Sequence, residues 1–97
     1  MRLYDFKRGH KKNIDEIEKI MGEIFGTVER RGEKLYSSYK GLAHIEVWLE
    51  KNKLAAITEP RDVSDQDALD TLKKWNDFLY RVTGYTAKER KKKLSKA

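Results

Sequence analysis

The hydrophobic period of this chain changes twice, and those two changes constrain its architecture more than any single motif does. Between residues 14 and 25 the apolar side chains Ile14, Ile17, Ile20, Met21, Ile24 and Phe25 recur at spacings of three and four. That spacing gathers them on one face of an α-helix. Asn13 is placed to cap it, Glu16 stands three residues later as a capping-box partner, and Gly26 supplies a left-handed stop. From Thr27 to Glu59 the period falls to that of a strand, and the turn sequences RGEK, KGL and KNK divide the stretch into four predicted strands, 27–31, 34–39, 42–50 and 53–59. Beyond Pro60 the helical spacing returns. Ser64 caps a second helix with Asp65 and Asp67 in its first turn, and Gly84 ends it. Its predicted buried stripe is Ala68, Leu72, Trp75, Leu79 and Val82, flanked by Leu69 and Phe78. Thr86 and Glu89 form a capping box for a last short helix over 87–95.

An α-β-β-β-β-α order packs as an α+β two-layer sandwich: a four-stranded antiparallel sheet with both main helices on one face, plus the short basic C-terminal helix. If Lys51-Asn52 is a two-residue turn with Asn52 left-handed, Glu50 pairs with Lys53, Leu49 with Leu54, Val47 with Ala56 and Ile45 with Thr58. Those residues, with Ala43, then form the core face. The other face carries His44, Glu46, Trp48 and Ile57, where Trp48 and Ile57 call for cover by the N-terminal RLYDF, a second copy or a ligand. With Lys40-Gly41 as a second two-residue turn, Leu35 and Tyr39 join them. Leu35, Tyr39, Trp48 and Ile57 are therefore a candidate interface for a protein partner or self-association, or a stacking platform for single-stranded bases.

Ninety-seven residues bound one domain, 1–97, in which 13–84 is the α/β core and 1–12 and 85–97 are basic ends. Residues 1–13 hold five basic residues against one acid, a net of +4, and residues 84–97 hold six against one, a net of +5. Since the whole chain is +6, the body between them is −3. Positive potential is gathered at the ends of an acidic body rather than spread over it. There is no cysteine, which excludes a disulfide framework and a thiolate zinc site. No apolar run is long enough for a signal peptide or a membrane span, so a soluble cytoplasmic protein is expected.

YDFKRGH before a capped helix, EVWLE in a central strand, NDFL in the long helix and TGYTAKERKKKL at the end together resemble a small archaeal domain family of unknown function. That resemblance covers essentially the whole chain and implies a two-layer α/β sandwich. It implies no site residues. The element order is also similar to the double-stranded-RNA-binding domain, whose phosphate-reading lysines begin the second helix. Here that stretch is the acidic SDQDALD, so its function does not transfer.

The candidate nucleic-acid contacts are Lys7, Arg8, Lys11 and Lys12, ahead of a helix N-terminus, and Lys88, Arg90, Lys91, Lys92 and Lys93 in the last helix. Lys88 and Lys92 repel at i,i+4, a cost that a polyanion would relieve. Cations at a chain end also suit a helix dipole and keep a small protein soluble, so charge alone does not decide the matter. Asp62, Asp65, Asp67 and Asp70 lack the glycine and glutamate an EF-hand needs, and His10 and His44 have no second ligand at metal spacing. With no catalytic, metal or cofactor motif, the sequence reads as a non-enzymatic binding domain for RNA or DNA backbone. The alternative is a protein-interaction module or homodimer built on the Trp48 face.

Overall fold

The computed structural model describes residues 1–94, the side chains of 93 and 94 excepted. Its elements are β1 (Arg2–Asp5), α1 (Ile14–Phe25), β2 (Glu29–Arg31), β3 (Lys34–Tyr39), β4 (Leu42–Glu50), β5 (Lys53–Pro60), α2 (Asp65–Thr83) and α3 (Ala87–Leu94). The α+β class stands, and the caps form as the sequence implies. Asn13 Oδ1 accepts from the Glu16 amide at 2.8 Å, and Ser64 Oγ accepts from that of Asp67 at 3.2 Å. Residue 95 of the expected last helix lies outside the described residues.

The sheet has five strands rather than four, all antiparallel, in the order β1-β5-β4-β3-β2. The added strand comes from the RLYDF segment that the sequence assigned to the basic end and offered as cover for Trp48. It pairs edge-on with β5 instead, Arg2 opposite Ala56 and Tyr4 opposite Leu54. Helix α1 then carries the chain from the β1 edge to the β2 edge across one face. Four residues are too few for an alternation pattern to stand out from a charged segment.

The β4–β5 register is the expected one from Glu50–Lys53 to Ile45–Thr58. Within that turn the left-handed residue is Lys51, at φ +56°, rather than Asn52. Two irregularities change the faces. The β4–β5 ladder shifts between Leu42 and His44, which leaves Ala43 exposed rather than in the core. The β3–β4 ladder shifts between Ser37 and Tyr39, so Leu35 pairs with Val47 and Lys34 with Trp48. A bulge adds one residue to one strand, and one residue is enough to exchange the faces beyond it.

The core lies between the sheet and two helices. Leu35, Ile45, Val47 and Leu54 from the strands, Ile17 and Met21 from α1, and Phe78, Leu79 and Val82 from α2 are all essentially inaccessible to solvent. Phe25, Trp75 and Phe78 form an aromatic cluster with Phe78 centred 5.5 Å from each of the other two. Helix α2 buries its predicted stripe only over its C-terminal half. Thr71, Phe78, Leu79, Val82 and Thr83 are its buried residues, while Ala68, Leu69 and Leu72 are exposed. Its N-terminal half is tied by polar contacts: the Thr71 hydroxyl accepts from the Gly41 amide at 3.0 Å, and Asp70 accepts from Tyr39 and Lys40 of the β3–β4 hairpin.

Candidate functional site

The two basic ends meet. After β1 the chain turns so that the Lys7 amide donates to the Thr83 carbonyl at the end of α2 at 2.7 Å. The Lys7 ammonium lies 3.5 Å from Glu89 of α3 and 6.0 Å from the centre of the Tyr85 ring. Gly84 makes this junction possible. Its φ is +86°, a conformation unfavourable for side-chain-bearing residues, and a Cβ there would stand 2.7 Å from the His10 ring. The loop over 7–12 and α3 therefore share one side of the molecule.

Helix α3 is fastened by polar contacts, as its scarcity of apolar residues requires. Its capping box closes in both directions: Glu89 accepts from the Thr86 amide at 3.0 Å and Thr86 Oγ1 accepts from the Glu89 amide at 3.1 Å. Those bonds, with the charge of Lys7 adding to them, hold the Glu89 carboxyl below its usual range. Arg90 donates to the Tyr85 carbonyl at 2.8 Å and to Asn76 of α2 at 2.9 Å.

The nominated cations thus divide by what they already touch. Lys7 pairs with Glu89, Lys12 with Glu16 at 4.0 Å, and Lys11 donates to Asn52 at 2.8 Å. Arg90 is held by neutral acceptors. Arg8, Lys88 and Lys92 have no ion-pair partner among the described residues, and Lys91 has contacts of its own. The side chain of Lys93 lies outside the described residues.

Beside this basic surface runs a groove of about 560 Å³ between β1, α2 and the start of α3. Tyr4, Leu72, Trp75 and Tyr85 supply its apolar and aromatic walls, and Arg2, Arg90, Lys91 and Asp5, the last paired with Lys53 at 3.2 Å, its charge. Leu72 is 56% exposed in it. The Arg2 guanidinium sits over the Tyr4 ring at 5.7 Å. The sequence counted Arg2 as charge without nominating it, and it missed Tyr4, Tyr85 and Leu72 as site residues. The first two belong to an edge strand and an interhelical link that have no periodicity to read, and Leu72 was assigned to the core.

A model of the family described as Domain of unknown function (DUF5611) matches residues 1–96. The chain belongs to the DUF5611 family. A solved NMR solution structure of a hypothetical protein from Thermoplasma acidophilum is 36% identical, covers 100% of both chains and has a TM-score of 0.73. No curated protein matches the chain. These findings agree with the resemblance to a small archaeal family of unknown function.

The other candidate surface of this DUF5611 domain, the helix-free sheet face, is not the one the sequence assembled. Trp48 and Ile57 do share it, as diagonal neighbours across β4 and β5. Leu35 does not: it is fully buried in the core on the opposite face. Tyr39 also packs toward the core, 5.7 Å from Phe25, with its hydroxyl on Asp70. Trp48 itself is roofed by Lys34, whose ammonium lies 4.7 Å from the ring centre, and its indole N–H donates to Glu50 at 3.3 Å. Lys34 also bonds Glu46 at 3.1 Å, and His44 stands 3.4 Å from the same carboxylate. Burial works to raise the Glu46 pKa, but the bonds from Lys34 and His44 outweigh it and the net direction is down.

Among the described residues, no helix is long and apolar enough to cross a membrane.

Proposed function

We propose that this domain is a binding module that takes a nucleic-acid backbone, RNA or DNA, on the surface where the 7–12 loop meets α3. One observation carries the reading: Lys7 bonds to Thr83 and reaches Glu89, so two segments far apart in sequence make one positive side on a body that is acidic overall. Adjacent cations confine counterions that a polyanion can displace, and that release is the main source of affinity for phosphate chains. Arg8, Lys88 and Lys92, which pair with no carboxylate among the described residues, are the natural phosphate contacts. Self-association through the sheet face has less support, because Lys34 and Glu50 already occupy the Trp48 ring and its N–H.

Equilibrium titration of the full chain against duplex and single-stranded probes over a range of salt tests this. Four phosphate contacts correspond to a log–log salt slope of about −3.6 on duplex DNA. Replacing Arg8, Lys88 and Lys92 together by glutamine should flatten that slope by about 2.7 and weaken all sequences alike. Retention of full affinity and slope by the triple variant would remove this surface from the account.

A further inference from the structure

The groove beside the basic surface has the composition of a ligand site rather than of an incompletely closed core. Its volume of about 560 Å³ lies within the usual range of small-molecule sites, roughly 300–1,000 Å³. Arg2 and Arg90 both line it, and neither forms an ion pair among the described residues. They are also close enough for the charge of Arg2 to act on Arg90: burial chiefly pushes the Arg90 pKa down, Tyr4 opposes it, and Arg2 adds a lesser downward push. Two neighbouring guanidinium groups held without a carboxylate, one of them partly desolvated, favour an external anion. The two bonds of Arg90 go to a backbone carbonyl and an asparagine, and its guanidinium carries further N–H donors beside them.

The remaining walls restrict which anion that is. Leu72 stands more than half exposed, and Tyr4, Trp75 and Tyr85 line the same space, so the occupant must carry a flat apolar body beside its negative charge. Tyr85 also lies under Lys7, so the groove opens directly onto the basic surface and one polymer can occupy both. Resting on the backbone-binding reading above, we infer that the groove takes one nucleotide of a single strand, its phosphate on Arg2 and Arg90 and its base against Leu72, Trp75 and the tyrosines. A duplex, whose bases are stacked and paired, can use the basic surface but cannot fill the groove. The domain should therefore prefer single strands over duplexes, beyond the difference that charge density produces.

The test uses the full chain carrying Trp48→Phe, so that Trp75 is the sole tryptophan. A single-stranded oligonucleotide of about 8 residues, within the usual span of one small binding domain, should quench Trp75. A duplex of equal charge should bind without doing so. Leu72→Gln and Arg2→Gln, both at exposed positions, should each weaken single-strand binding roughly tenfold while leaving duplex affinity within about twofold. Unchanged single-strand affinity in both variants, with salt-dependent duplex binding intact, would overturn the groove assignment and leave the backbone reading standing. Absence of binding to either probe at low salt would overturn both. A mononucleotide binding as tightly as the oligonucleotide, or poly-glutamate competing as well as it, would also overturn the assignment to a single strand.

Discussion

The two halves of α2 carry apolar residues at the same helical spacing, yet they are attached to the domain in different ways. From Trp75 to Thr83 the helix is held by packing: Phe78, Leu79 and Val82 are buried against α1 and the sheet, and Phe78 is centred 5.5 Å from Phe25. From Asp65 to Leu72 it is held by polar bonds to the β3–β4 hairpin, with Thr71 on the Gly41 amide and Asp70 on Tyr39 and Lys40. The polar bonds are directional and they tie the first turns of the helix to that hairpin. Leu72 lies on the same side of the helix as Leu79, seven residues on, but where the core no longer covers it, so it stands exposed and walls the groove. Hydrophobic spacing fixes which residues can face a core, while how far the core extends along the helix decides which of them are buried.

The strongest way to break this contrast is to cut the packed half. Phe78→Ala removes a fully buried ring where α2 packs against Phe25 of α1. Such truncations cost about 3–5 kcal/mol, a large share of the roughly 5–15 kcal/mol that holds a domain together. Urea or guanidinium unfolding should show this as a much lower midpoint. A loss below about 1 kcal/mol would mean that the aromatic cluster is not the anchor of α2.

A smaller effect is expected at the polar half, and it depends on pH. The hydrogen bonds from Tyr39 and then Lys40 hold the Asp70 carboxyl below its ordinary value of 3.8. The same bond, together with partial burial, holds the Tyr39 phenol above its ordinary 10.0. A carboxyl with a lowered folded-state pKa contributes stability that is complete above its unfolded pKa and is lost as pH falls through the folded one. Tyr39→Phe should therefore be less stable than the parent at neutral pH, and the gap should close as pH drops below 3.8. Thermal melts of both proteins from neutral to strongly acidic pH would show it. A gap that persists unchanged in acid would assign the Tyr39 effect to packing against Phe25 instead.

The same distinction explains what was legible in the sequence. Helix and strand positions, both caps and the β4–β5 register followed from period and turn chemistry, which are local properties. The face assignments of Leu35, Tyr39 and Ala43 did not, because each depends on a one-residue irregularity that leaves no mark in composition. β1 was hidden in a charged segment, since an edge strand four residues long needs little apolar content. The two basic ends were visible as charge, but their adjacency rests on Gly84 and on a backbone bond from Lys7 to Thr83, a contact between residues 76 positions apart. The groove was the least legible feature: its residues come from an edge strand, an uncovered stretch of helix and an interhelical link, which no single period connects.

The smallest predicted effect is the one that sharpens the comparison most. Leu69 and Leu72 read in sequence as part of the buried side of α2, where replacement by glutamine would lose the transfer free energy of a leucine and strand a polar group, about 2 kcal/mol or more. In the structure they are 62% and 56% exposed. Leu69→Gln and Leu72→Gln should therefore each change unfolding free energy by no more than about 0.5 kcal/mol, as substitutions on an open surface do. The comparison with Phe78→Ala is made on one helix and by one unfolding assay, so errors in extrapolation largely cancel. If Leu69→Gln costs as much as a core substitution, the first turns of α2 are packed rather than pinned by the polar bonds from the hairpin. If both are neutral, Leu72 is free of structural duty, and any loss of binding in Leu72→Gln reports on the groove itself.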